Sequence, residues 1–175
     1  QWVMSHYYGS GPSIMVQDNF NNANDALNDD PWVHVREKWQ ASSEEERKEM
    51  GAIVSEYQSF WNGHTDEMRR IDWENNHIYS EEADFNSNFI LVIGKYNTSG
   101  NQGEMGQAYH DWVTVPAVES GVALAGNFSF HLTGSGPDVM VVNAYASMHE
   151  FATGLEGATS DTSDARRKFW SLVEG

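Results

Sequence analysis

The chain has 175 residues, a formal net charge of −16 and no cysteine. That length holds one domain or two small fused halves, and an aromatic content of 13% supplies material for a core. The acid excess excludes a basic surface for nucleic acid or anionic membrane; the absence of thiols excludes disulfides, thiolate zinc sites and a cysteine nucleophile. No apolar run is long enough to span a bilayer and no signal-peptide pattern is visible, so a chain that starts at Gln1 reads either as a processed product or as one lacking its natural start. So acidic a composition suits a well-solvated surface and favours an extracytoplasmic or salty setting.

In chain order, residues 2–8 and 13–18 predict a hairpin about Gly9-Ser10-Gly11-Pro12. Residues 19–30 are rich in Asn and Asp, yet Phe20 and Ala23 break the alternate-ligand series of a calcium loop and no glycine follows; a solvated helix with turn residues is expected. Residues 31–40 carry Trp32, Val35 and Trp39 on one helical stripe. Ser43-Glu44-Glu45-Glu46 is a capping box opening a longer helix, whose Met50, Ile53, Tyr57 and Trp61 recur at helical spacing and are expected to face a sheet before Gly63 ends it. Residues 65–73 predict a short helix and 75–88 a loop. Residues 89–96 make the strongest strand, a near-continuous apolar run that predicts burial on both faces and a central place in a sheet. Residues 97–103 read as a turn. A helix over 104–120 follows, with Met105, Tyr109 and Trp112 on one stripe and Pro116 kinking or ending it. A second hairpin, a helix from Ser147, a Gly/Thr/Ser loop and a last helix with Phe169, Trp170 and Val173 complete the chain.

The two hairpins are copies. Gly134-Ser135-Gly136-Pro137 repeats the first tetrapeptide, a histidine stands three residues before each (His6, His131), and the apolar runs 13–16 and 138–141 follow each. Without a gap the copies agree at His, Gly, Ser, Gly, Pro, Met and Val, and each continues into a short helical piece. Phe128, Phe130 and Leu132 alternate with Asn127, Ser129, His131 and Thr133, which gives the strand two unlike faces. In the first copy Met4, His6 and Tyr8 fall on the histidine side. The domains expected are a first half over 1–75, a linker over 76–88 and a second half over 89–175, with Phe60-Trp61 and Phe169-Trp170 as counterparts. On that register the first half lacks equivalents of residues 89–121; either they would precede Gln1 or the half does without them.

Paired β-α-β-β-α halves resemble the ferredoxin-like units of the dimeric α+β barrel superfamily, which includes antibiotic-biosynthesis-type monooxygenases, haem-degrading enzymes and stress-responsive barrel proteins. The resemblance implies an α+β fold: tandem ferredoxin-like repeats forming one barrel-like antiparallel sheet with helices outside. Under it Met4, His6, Tyr8, Asn127, Ser129, His131 and Thr133 line a lumen for a small organic molecule, monooxygenase-like oxidation is the implied activity, haem is an admissible cofactor, and a homo-oligomer is an admissible state. The asparagine, tryptophan and histidine of haem-degrading members have no matching positions, so no catalytic residue is carried over. From the residues alone, each imidazole either binds ligand or hydrogen-bonds the backbone of its own hairpin.

Other chemistry is poorly served. No HExxH occurs, and His110-Asp111 and His149-Glu150 are adjacent on presumed helices, where neighbours point apart; no metal site is expected. Ser10 and Ser135 lie between two strands, whereas a nucleophile elbow joins a strand to a helix. The competing expectation is a structural or interaction protein that self-assembles through open sheet edges.

Overall fold

In this computed structural model, which describes every residue except Gln1, Pro31, Asn62, Glu82 and Gly175 and leaves aside the side chains of Trp2 and Asn75, the chain forms two compact units, 1–63 and 64–175. The first opens with strands β1 (Trp2–Ser5) and β2 (Ile14–Gln17), paired antiparallel, then α1 (Ala23–Asn28), α2 (Val33–Ala41) and α3 (Glu44–Phe60). The helix start expected at Pro31 lies outside the described residues. The capping box forms: Ser43 accepts from the Glu46 N–H while the Glu46 carboxylate accepts from the Ser43 N–H. Gly63 follows α3 with φ of 82°, a conformation natural only to glycine.

The stripe on α3 faces α2, not a sheet. Tyr57 packs edge-on to Trp32 at 5.7 Å between ring centroids and leans on Trp61 at 5.5 Å. The Trp39 ring lies 3.6 Å from where a Cβ on Gly51 would stand, and Arg47 Nε donates to the Trp39 carbonyl at 2.9 Å. Ile53 is left 66% exposed. A two-residue connection brings the aromatic side chains of α2 beside α3 at little entropic cost, and a two-stranded hairpin offers no comparable apolar area. No described side chain of residues 3–63 is buried.

Residues 64–175 carry the core. Strands β3 (Glu67–Ile71), β6 (Ala125–Gly134), β7 (Val139–Tyr145) and β5 (Ile90–Tyr96) lie in that order, all antiparallel, and β4 (His77–Tyr79) pairs with the start of β6. Strand β7 inserts between β5 and β6, which are joined by α5 (Gln102–Tyr109), a π-helical turn (His110–Thr114) and α6 (Val115–Glu119). This split β-α-β arrangement is an α+β fold compatible with a ferredoxin-like unit. The sheet is open: among the described residues no pairing joins β5 to β3 or β4, so the expected barrel does not close. Two further helices, α7 (Met148–Ser160) and α8 (Asp164–Leu172), follow. Met105, Ala108, Phe128, Phe130, Val139, Val141 and Phe169 form the main core, and Tyr145, Ala117, Val118 and Ala123 a second one. No helix among the described residues is long and apolar enough to cross a membrane.

Several expectations are corrected. Residues 67–71 form a strand where a helix was expected, because alternate residues serve opposite faces: Arg70 lies over Phe130, while the Arg69 guanidinium donates to the hydroxyl and carbonyl of Ser129 and the carbonyl of Pro137. The expected loop over 75–88 contains β4. Strand β5 ends the strand order and is not central; its four consecutive apolar residues reflect two half-covered faces, and face coverage says nothing about whether the flank is paired. The regular helix is interrupted just before Pro116, as expected, but it does not stop there. Val115 N–H bonds the His110 carbonyl five residues back, and this wider turn leads the helix on past the proline to Glu119. Phe60 is 75% exposed whereas Phe169 is fully buried, so their surroundings are unlike: α3 ends over solvent and α8 lies on the sheet.

The two hairpins share a register although no tandem repeat of whole halves is present among the described residues. Val3↔Val16, Met4↔Met15 and Ser5↔Ile14 correspond, at one constant offset, to Phe128↔Val141, Ser129↔Met140 and Phe130↔Val139. Gly9 and Gly134, equivalent on that offset, have φ of 95° and 96°. The equivalent caps Asn22 and Ser147 share an extended backbone, and each accepts from the N–H of an acid three residues on, Asp25 or Glu150. Around that shared piece the two units differ: β6 and β7 are flanked by strands and covered by helices, while β1 and β2 form a sheet of two.

Candidate functional site

The expected lumen residues fall in both units. In the first, His6 is exposed; its backbone N–H donates to the Ser13 carbonyl at 2.9 Å, and its ring Nε2 lies 2.9 Å from the Tyr8 carbonyl. Tyr8 is 90% exposed and Met4 is half-buried. In the second, His131 repeats the pattern, its N–H donating to the Asp138 carbonyl at 2.9 Å and its Nε2 lying 3.2 Å from the Gly134 carbonyl. Each imidazole thus serves the backbone of its own hairpin. Asn127 is half-buried, Ser129 is buried with its hydroxyl accepting from Arg69 Nε at 2.9 Å, and Thr133 is exposed beyond the register shift opposite Met68 and Arg69.

A different set of residues shapes a cleft of about 690 Å³ in the second unit. One wall is the end of β3 and the short helix α4 (Trp73–Asn76), which supply Arg70, Asp72, Trp73, Glu74 and Asn76. The facing wall is α5, with Gly103 and Gln107, and Phe128 and Phe130 of β6 complete the lining. The wall of α5 stands close because of Gly106: a Cβ there would lie 2.3 Å from the Phe128 ring. Trp73 stands edge-on to His77 at 4.7 Å between ring centroids.

The polar groups of this cleft are sparsely partnered. Arg70 places its guanidinium 5.3 Å from the Phe130 ring centroid and forms no hydrogen bond or ion pair among the described residues. Asn76 is 5% exposed, and its carboxamide likewise bonds no described residue. Gln107 donates to Asp111 at 2.7 Å, which leaves its carbonyl oxygen for another donor.

Behind Phe128 lies His110, 7% exposed, with ring centroids 5.6 Å apart. Neither of its ring nitrogens has a hydrogen-bond partner; the Asp111 carboxylate stands 3.8 Å from Nδ1, beyond bonding reach. Burial pushes the His110 pKa below the usual imidazole value, against the opposing pull of Asp111. Burial does the same to His77, whose Nδ1 is also unpartnered. One turn further along the same helix Thr114 donates to Asn143 at 3.0 Å and Asn143 to the Tyr109 phenol at 3.3 Å, a satisfied chain whose burial raises the Tyr109 pKa far above that of a free phenol.

Among the described residues no three His, Asp or Glu side chains gather as a metal-binding group. Compared with protein-family models, curated proteins and solved structures, the chain matches none. The cleft's groups are scattered over β3, α4, α5 and β6 with no motif spacing, so no short stretch of sequence marks it.

Proposed function

We propose that residues 64–175 bind a small organic molecule in the cleft between α4, α5 and β6. One arrangement supports this reading: the exposed Arg70 guanidinium, which has no hydrogen bond or ion pair among the described residues, and the Asn76 carboxamide stand beside the half-exposed Trp73 indole on a cleft of about 690 Å³. Ligand sites are of this size and combine apolar surface with a few convergent polar groups. A library of small organic fragments, screened by NMR on the isotope-labelled chain, is expected to shift the Trp73 indole and the Asn76 and Gln107 amides together. Gln107→Trp, a change on an exposed helical face that fills the cleft, is expected to abolish those shifts without lowering stability. Fragment shifts that leave these groups untouched would remove the reading.

The hairpin of residues 2–17 favours a second reading, self-association. It has the register of β6 and β7 without their flanking strands, and exposes Val3, Ile14 and Val16. Unpaired strand edges with apolar side chains add strands readily. Concentration-dependent sizing is expected to show association that Val3→Lys with Val16→Lys disperses; a monomer at every concentration would exclude it.

A further inference from the structure

The charges on the cleft specify more than a small organic molecule. Arg70 stands on one of its residues, Glu74 and Asp72 on others, and no ion pair joins Arg70 to either acid. Asp72 is engaged in an interaction of its own, whereas Glu74 is exposed and has none among the described residues. Opposite charges held in one cleft without meeting leave a gap that a dipolar ligand spans. The two alternatives fit less well. A simple anion would meet Arg70 but also two carboxylates, in a chain with a net charge of −16. A simple cation would meet the carboxylates but also the guanidinium, which Phe130 holds in place from below. Arginine forks carboxylate with two parallel N–H donors, and an exposed indole accepts both ring stacking and a nearby ammonium. Trp73 offers that surface, being 48% exposed beside Glu74 on α4.

Resting on the cleft-binding reading, we propose that the cleft takes a small aromatic zwitterion, its carboxylate on Arg70, its ammonium toward Glu74 and its ring on the exposed indole of Trp73. An aromatic amino acid has that chemistry.

The test is NMR titration of the full chain with three matched probes: L-phenylalanine, 3-phenylpropionate, which lacks the amine, and phenethylamine, which lacks the carboxylate. The zwitterion is expected to bind at least about tenfold more tightly than either, with shifts at Trp73, Asn76 and Gln107. Arg70→Met is expected to erase its advantage over phenethylamine, and Glu74→Gln its advantage over 3-phenylpropionate. Both positions are exposed, so folding is preserved, which the unperturbed spectrum of β7 verifies. If 3-phenylpropionate or phenethylamine binds in the cleft as tightly as the zwitterion, the dipolar assignment is overturned while the cleft remains a binding site. If none of the three moves these residues but other fragments do, the assignment likewise fails and the binding reading stands. If nothing moves them, both fail.

Discussion

His110 shows how a single side chain couples burial to pH. Its ring is enclosed beside Phe128 with neither nitrogen bonded, so the folded chain prefers it neutral. An unfolded histidine titrates near pH 6.5. Between the lowered folded value and about 6.5 the unfolded chain binds more protons, so stability is complete above that range and falls as pH drops through it. His77 adds to the slope with the same sign. Urea midpoints at pH 8 and pH 5.5 are expected to differ, and His110→Leu is expected to shrink the difference while leaving the pH 8 midpoint equal or higher, since an unpartnered polar group is exchanged for an apolar one of similar size. Equal pH sensitivity in the variant would show that His110 is not the group concerned. At this scale the sequence was legible in part. The hydrogen-bonding role of His6 and His131 was one of two readings open from the repeat, and both rings reach carbonyls of their own hairpins. The burial of His110 was not legible, because it depends on how near α5 comes to β6.

That approach is set at the scale of elements by Gly106. A Cβ on it would stand 2.3 Å from the ring of Phe128, itself buried and unable to yield. Gly106→Ala is expected to destabilise the second unit by about 1–3 kcal/mol, the usual cost of overpacking, although alanine is the better helix former. A rise in stability by chemical denaturation would contradict the packing described. The duplicated turns offer a matched pair. Gly9 and Gly134 share the same positive φ, so alanine strains both by about 1–2 kcal/mol. Only at Gly134 would the added Cβ also strike backbone, 2.3 Å from the Asp66 carbonyl oxygen, whereas at Gly9 it meets open space. Gly134→Ala is therefore expected to cost distinctly more than Gly9→Ala, measured by amide exchange in each hairpin separately. Equal costs would mean that the local environments do not differ as described.

Over the whole molecule, two hairpins of matching register sit in very different surroundings. In residues 64–175 the hairpin is the centre of a sheet, with Phe128, Val139 and Val141 buried under helices. In residues 1–63 the same register is a sheet of two, and no described side chain of that unit is buried. Opening free energy follows buried apolar contact, so amides of β1 and β2 are expected to exchange orders of magnitude faster than their counterparts in β6 and β7. Matching exchange rates would mean that something covers the first hairpin in solution.

What is local was legible in the residues alone: the two hairpins and their glycine-containing turns, the capping box at Ser43, the helix start at Ser147, and the stripe of Met105, Tyr109 and Trp112. Each depends on residues a few positions apart, and their chemistry acts without the rest of the chain. Only the tertiary structure decided that residues 67–71 extend as a strand beside β6, that β5 lies at an edge, and that Arg70, Trp73, Asn76, Gln107 and Phe128 share one cleft. Those outcomes turn on which surfaces remain uncovered once distant segments pair, a competition among long-range contacts that no short window of sequence records.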